Sequence, residues 1–259
     1  MRIDVTSIAG LPIGLGLIVC AELVEGGTLR SLVQPSAALI VFGGTLGAVL
    51  LSFSLADVRR ACLALRTIFF WDGEPPDRTI AMVMRYAAKA RTAGVLALEN
   101  DLPGIPDPFL QKALRLLVDG AHPQVLRELL ETENQSREEF DEVPAKVFEA
   151  AGGYAPTIGI LGAVLGLIHI MQTLTDPSRL GAGIAVAFVA TVYGVGSANL
   201  LLLPAATKLR MKARHESRRR ELLIEAVLGI QEGLNPRLIV ERLRGVAAEP
   251  EQPALAPAV

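Results

Sequence analysis

The sequence predicts an all-α membrane protein with four transmembrane helices and a helical cytoplasmic domain. Three observations carry that prediction. Residues 151–207 hold two apolar segments, AGGYAPTIGILGAVLGLIHIMQTL and GAGIAVAFVATVYGVGSANLLLLPAAT, joined by TDPSRL. Each exceeds the ~20 residues that an α-helix needs to cross ~30 Å of hydrocarbon. Two more apolar runs, 5–21 and 31–56, precede them and are separated by the short turn LVEGGTLR. The composition agrees, with 51% apolar against 20% charged residues and a mean hydropathy of +0.42, the profile of a chain that crosses a bilayer several times. A buried hairpin of a soluble protein would keep a polar face, whereas both segments are apolar or small all round.

The first run is preceded only by Arg2 and lacks a small-residue cleavage site, so it reads as a retained span rather than a signal peptide. The second carries Gly43, Gly44 and Gly47, a packing face. In the third span Gly159, Gly162, Ala163 and Gly166 recur at helical spacing, as do Gly183, Ala187, Thr191, Gly194 and Ala198 in the fourth. Helices in lipid associate by close van der Waals approach, so these faces expect another helix. Orientation follows from the basic residues near span ends. Arg59, Arg60 and Arg66 follow span two, Lys146 precedes span three, and Lys208, Arg210, Lys212, Arg214, Arg218, Arg219 and Arg220 follow span four. The short turns carry only Arg30 and Arg179, which puts both termini and the middle segment on the cytoplasmic side.

The middle segment is too long for a passive connection. Asp77 is expected to cap a helix that Gly94 ends, and Asp107 with Pro108 to open a second that Gly120 ends. A third helix starts near Pro123 and runs into span three, with Pro144 a candidate kink, and no strand pattern is present. After span four, Leu222, Leu223, Ala226, Val227 and Ile230 share one helical face, Gly233 closes that helix, and Asn235 with Pro236 opens a shorter one. The basic start of this region suits anionic lipid headgroups. The expected division is 1–56, spans one and two; 57–149, a cytoplasmic helical domain; 150–207, spans three and four; 208–245, cytoplasmic C-terminal helices; and 246–259, an Ala/Pro-rich tail without the patterning to fold.

Little here points to catalysis. A membrane enzyme needs convergent nucleophile, base or metal groups, and none appears. Three His and two Cys are scattered without zinc-like spacing, and Cys20 and Cys62 read as free apolar thiols. Neither a metal nor a cofactor is expected. A net charge of −2 gives no global field for nucleic acid. Nor do the two halves carry the matching broken helices of an inverted-repeat transporter. Pro156 and Pro204 bracket the hairpin. Inside a helix a proline removes one donor and collides with the carbonyl four residues back, that of Leu200 for Pro204, and the resulting kink can hinge. Pro156 also suits a tolerated first-turn position, and both readings stay open. Lys89, Arg91 and Glu99 flank the Gly94 turn, either as ordinary solvated charge or as an electrostatic docking site.

YAPTIGILGAVLGLIHIM, GIAVAFVATVYGVGSANLLLLP and IEAVLGIQEGLNPRLIVERL, with GGTLGAVL, ARTAGVLALE and LRLLVDG, resemble the MotA/TolQ/ExbB proton channel family. Within it they resemble the MotA-type stator subunits of the bacterial flagellar motor, including the second-copy, MotC-type form. The resemblance reaches almost the whole chain up to about Gly245. It implies a homopentameric ring in the bacterial inner membrane around two copies of a MotB-like partner. That partner is single-span, anchored to peptidoglycan, and supplies the ion-binding Asp. It also implies torque-related roles for Pro156 and Pro204, and contact of Arg91 and Glu99 with the rotor's switch-complex protein. The ion path would run past Pro156, Ala163 and Thr191.

An intramembrane titratable group is the usual mark of such a path. Spans three and four offer only His169, with Glu22 near the outer end of span one and Asp4 at its inner start, so the group is expected from another chain. His169 suits an interfacial position or a proton relay. Thr191 offers a hydroxyl to the path or a plain bond within its own helix. Sodium-driven relatives typically have Thr seven residues after the first proline and before the Leu-Tyr-Gly or Val-Tyr-Gly of span four. Here those sites are Ala163 and Thr191, and sodium needs oxygen ligands where a proton does not, so proton flow is expected. A TolQ/ExbB-like energiser of an envelope complex is the alternative. Such proteins typically have three spans, and four spans with ARTAGVLALE and LNPRLIVERL favour the stator.

Overall fold

The computed structural model describes residues 2–30, 32–71, 76–172 and 177–247. Its residues form two compact units, one of 1–72 with 142–211 and one of 73–141 with 212–259. Of the expected tail, 246–259, Val246 and Ala247 instead complete the last helix, Pro236–Ala247, and the rest lies outside the described residues.

The first unit holds the four apolar helical stretches. Asp4 caps α1 (Val5–Val24), accepting from the Ser7 amide at 3.2 Å, and α1 buries none of its residues within the chain. The second span is built of α2 (Pro35–Ala38), a π turn (Leu39–Gly43) and α3 (Gly44–Ser52). It stops earlier than the expected residue 56. Phe53 is extended (φ −131°, ψ 153°), and Ser54 caps α4 (Leu55–Ile68) by accepting from the Asp57 amide and donating to the Asp57 carboxylate at 2.6 Å. A Ser-x-x-Asp cap overrides the apolar continuity of the run, so Leu55 and Ala56 belong to the next helix. Arg2–Ile3 (β1) pairs antiparallel with Phe70–Trp71 (β2), Arg2 opposite Trp71. Two residues are too few for an alternating pattern to be visible in sequence.

The hairpin is continuous with long helices. α7 runs from Pro123 to Gln172 through both Pro144 and Pro156, and α8 (Pro177–Ser197) passes through a π turn (Ala198–Leu202) into α9 (Leu203–Gln231). Much of the small-residue pattern of these spans is consumed inside the chain. A Cβ on Gly194 would stand 2.5 Å from the Ala155 carbonyl oxygen and 3.0 Å from Gly159 Cα. One on Gly166 would stand 3.0 Å from the Ala187 nitrogen. The other helix that those faces call for is the second arm of the same hairpin. In span two, by contrast, only Gly44 of the three expected glycines meets a neighbour, Ile158.

In the second unit α5 (Pro76–Ala93) is followed by a 3₁₀ segment (Val95–Gly104), α6 (Pro108–Val118) and α10 (Pro236–Ala247), with parts of α7 and α9. Asp77 is the second residue of α5 rather than the cap expected, a first-turn position where a carboxylate still favours the helix dipole. Asp107 caps α6, accepting from the Phe109 and Leu110 amides at 2.8 and 3.2 Å. Gly120 closes α6 at φ +76° in a Schellman turn, its own amide bonding Leu117 and that of Ala121 bonding Leu116. The core is built on Leu98, Phe109, Leu114, Leu126 and Ile239, together with the α9 face of Leu222, Leu223, Ala226, Val227 and Ile230, all buried. Burial alone would raise the Asp107 carboxyl. The hydrogen bond and charge of Arg219 at 2.5 Å, with the two capping amides, outweigh it and hold the group below the usual carboxylate range.

Two outcomes are expected. Gly194→Ala pushes a methyl against the Ala155 and Gly159 backbone of the facing arm and should destabilise the hairpin by about 1–3 kcal/mol, the cost of overpacking, whereas Gly16→Ala enters open space and should be neutral; thermal melts in detergent compare them. Because the Asp107 pKa is lowered on folding, its contribution is present above the unfolded value of about 3.9 and fades as pH falls through the folded value. Melts from pH 7 to pH 3 should therefore show a smaller acid-induced drop for Asp107→Asn than for the unmodified chain.

Candidate functional site

In the first unit the hairpin seam positions the candidate ion-path residues. Gly162 and Ala190 meet across it, a Cβ on Gly162 standing 2.8 Å from Ala190 Cβ. Ala163 and Thr191 are the next residues on each arm, so they share one level, and both are half-buried. The Thr191 hydroxyl donates to the Ala187 carbonyl at 3.3 Å. Its proton is thus engaged within its own helix, while its lone pairs remain available.

The two prolines converge on a single helix contact. Pro156 is in the interior of α7, not in a first turn, so the Gly152 carbonyl loses its usual intrahelical donor. Gly152 packs on Leu203, the residue before Pro204, at a spacing where a Cβ would lie 2.6 Å from Leu203 Cδ2. At this point the fourth span widens, and the Leu203 amide reaches back five residues to Ala198. The π turn inserts one extra residue just where Pro204 would collide with the turn before it. Pro204 is exposed and borders a largely apolar cleft of about 510 Å³, whose other walls include Gly10, Leu11, Ile68, Phe148 and Leu201.

Four residues beyond Pro204, Lys208 forms an ion pair with Asp4 at 2.5 Å. The hydrogen bond from Lys208, then that from Thr6, holds the Asp4 carboxyl far below the usual range, so the link between α1 and α9 stays charged. Tyr193 makes another long-range link. Its hydroxyl donates to the Leu32 carbonyl and accepts from the Gln34 amide at 3.3 Å, and its ring stacks on Phe42 at 5.7 Å. Sequence reasoning passed over both. A lone tyrosine in an apolar span was the available signal, since a buried hydroxyl seeks a partner.

In the second unit the charges beside Gly94 separate into two kinds. Lys89 is committed to Asp101, with both carboxylate oxygens at 2.7 Å. Arg91 and Glu99 are exposed and have no hydrogen bond or ion pair among the described residues. Gly94 (φ +84°) turns the chain between them, and Leu96 there is 71% exposed. His169 is exposed in the last turn of α7. Among the described residues no group of three or more His, Cys, Asp or Glu is arranged to hold a metal.

Four helices long and apolar enough to cross a membrane, and a glycine-sealed hairpin with no Asp or Glu in either arm, define a multi-span membrane protein whose own spans three and four supply no carboxylate. Residues 102–222 match the model of the MotA/TolQ/ExbB proton channel family. Motility protein A of Bacillus subtilis (strain 168) is 33% identical over 241 residues, covering 93% of this chain and 89% of that protein. Chemotaxis protein PomA of Vibrio alginolyticus is 33% identical over 246 residues, covering 95% and 96%. The solved structure of C. jejuni MotAB superposes with a TM-score of 0.88 at 30% identity, over 98% of this chain and all of that one. The flagellar MotAB stator complex from Bacillus subtilis gives 0.85 at 33% identity, over 93% and 94%. The chain belongs to the MotA/TolQ/ExbB proton channel family.

Tyr193→Phe should destabilise the membrane unit by about 1–2 kcal/mol, since it orphans the Leu32 carbonyl and Gln34 amide while keeping the Phe42 stack. Thermal melts in detergent measure the loss, and faster amide exchange confined to residues 32–34 localises it.

Proposed function

We propose that the chain is a stator subunit of the bacterial flagellar motor, seated in the inner membrane with both termini in the cytoplasm. Five copies form a ring around two copies of a MotB-like partner that is single-span and bound to peptidoglycan. Proton flow through the assembly becomes torque on the rotor's switch-complex protein. The observation that carries this reading is the end-to-end likeness to MotAB stator structures at 30% and 33% identity. The titratable group comes from the partner's helix, because neither arm of the hairpin contains an Asp or Glu.

Ala163 and Thr191 line the ion path, and Pro156 stands where that path meets the hinge. A hydroxyl is present at only one of the two sites, which disfavours a cation that must exchange water for oxygen ligands and leaves a proton unaffected. Pro204 and its π turn form the hinge, supported by the free space beside them and by the Gly152 carbonyl across the contact, which Pro156 denies its usual intrahelical donor. Arg91 and Glu99 touch the rotor, supported by their freedom from partners while Lys89 is held.

The test is motility with the partner co-expressed. Arg91→Glu should cut torque sharply at unchanged membrane level, with partial recovery from an opposite charge change on the rotor, and Pro204→Ala should lower torque without loss of assembly. Loss of membrane level in Arg91→Glu would return that residue to a folding role. Speed should collapse with a protonophore and ignore sodium at fixed pH; speed that follows sodium would overturn the proton assignment.

A further inference from the structure

The apolar cleft beside Pro204 has one polar end. Ser7 of α1 and Lys208 of α9 stand at its mouth, and Gly10, Leu11, Phe148 and Leu200 line its depth. Leu200 and Lys208 are eight residues apart, so the cleft runs ~12 Å along span four at 1.5 Å per residue. That is close to half of the ~30 Å hydrocarbon core, the depth of a single leaflet. α1 forms one wall and buries none of its residues, so the cleft is reached from the membrane beside it. On that wall a Cβ added to Gly10 would meet nothing within 4 Å.

The mouth holds more donors than its one carboxylate can use. Asp4 takes one N–H of the Lys208 ammonium, which leaves two. The same carboxylate accepts from the Thr6 hydroxyl and the Ser7 amide, while the Ser7 hydroxyl has no hydrogen bond among the described residues. Arg66 adds a charge with no counterion. It lies in the last turn of α4 between the lining residues Leu65 and Phe69, exposed and without a hydrogen bond or ion pair among the described residues. The Asp4–Lys208 pair is neutral as a unit, so Arg66 makes the mouth positive.

A basic mouth over an apolar slot one leaflet deep fits an amphiphile with an anionic head. A helix of a neighbouring copy fits worse: at 10–12 Å across it fills roughly 1,000 Å³ over the same ~12 Å, against a cleft of about 510 Å³. We propose that the cleft binds an anionic phospholipid of the adjoining leaflet. One acyl chain lies against Gly10, Leu11 and Leu200, and the phosphate accepts from Arg66, the Ser7 hydroxyl and the spare donors of Lys208. A fluid chain packs less firmly than side chains do, so span four keeps its freedom on this face.

The test uses the full-length chain with its partner subunit, reconstituted in phosphatidylcholine vesicles with a trace of phosphatidylglycerol that carries a diazirine on one acyl chain. After illumination, peptide mass spectrometry should place the label on Leu11 and Leu200. The yield there should be roughly fivefold that of the same probe on a phosphatidylcholine head, the scale of one basic side chain at a membrane surface. Arg66→Gln should remove that preference. Gly10→Phe should abolish the cleft label at an unchanged melting temperature, and leave label on Ile13 and Leu17, exposed on the same helix, as it was. Label as heavy on Ile13 and Leu17 as in the cleft would overturn the proposal, as would equal cleft yields for the two heads. Cleft label that appears only after the assembly is dissociated would give the cleft to a neighbouring copy instead. None of these readouts uses motility, so the stator reading stands or falls separately.

Discussion

The structure turns on the backbone-to-backbone contact of spans three and four. Gly194 and Gly159 meet with no room for a methyl group on either side, and Gly166 rides against the Ala187 backbone. In lipid there is no hydrophobic gain from bringing two apolar helices together, so dispersion at close range must hold them. That contact sets the phase of one arm against the other. With Gly162 fixed on Ala190, Ala163 and Thr191 come to one level, and with Gly152 fixed on Leu203 the two proline turns come together. Side chains with functional meaning are thus positioned by residues that have almost no side chain.

The hairpin was legible because its signals are local and strong: length, absence of charge, and glycine at helical spacing. Which helix would fill the small-residue faces was not legible, since a stripe announces a neighbour without naming it, and the neighbour proved to be largely the other arm. The break at Phe53 was hidden by apolar continuity even though Ser54 and Asp57 carried a cap signal. The π turn at Ala198–Leu202 has no sequence signature beyond the proline that follows it. Links between distant segments, Tyr193 to Leu32 and Asp4 to Lys208, depend on tertiary approach and lie beyond any window of residues. At the Gly94 turn the sequence grouped Lys89, Arg91 and Glu99 alike, and only the geometry separates the lysine held by Asp101 from the two free charges.

The segment around Pro204 is weakened in several ways at once. The proline removes a donor, the π turn lengthens the path of the helix, and a cleft of about 510 Å³ leaves one side unfilled. A helix so arranged has fewer bonds to break when it bends, and fewer packed neighbours to displace. Just beyond it the Asp4–Lys208 pair and the Ile68, Ala145, Ala205 and Leu209 cluster restore firm contact. Compliance is therefore confined to about one turn, with stiffer structure on either side within the same unit. The hinge proposed at Pro204 would need this contrast, because uniform softness would dissipate the motion.

The second unit distributes its charge by the same logic. Several of its half-buried ions are paired: Arg219 with Asp107 and Glu216, Arg220 with Asp141, and Arg127 with Glu225. Removing one member of such a pair strands the other in a poorly solvated place, so these residues are bound to the fold. Arg91, Glu99 and Arg214 are exposed and uncommitted, and they contribute little to stability. An exposed charge with no partner in its own chain loses little by leaving water for a complementary site, and it steers approach over a Debye length before contact. The rigid pairs hold the helices in register, and that register fixes where the free charges stand on the surface.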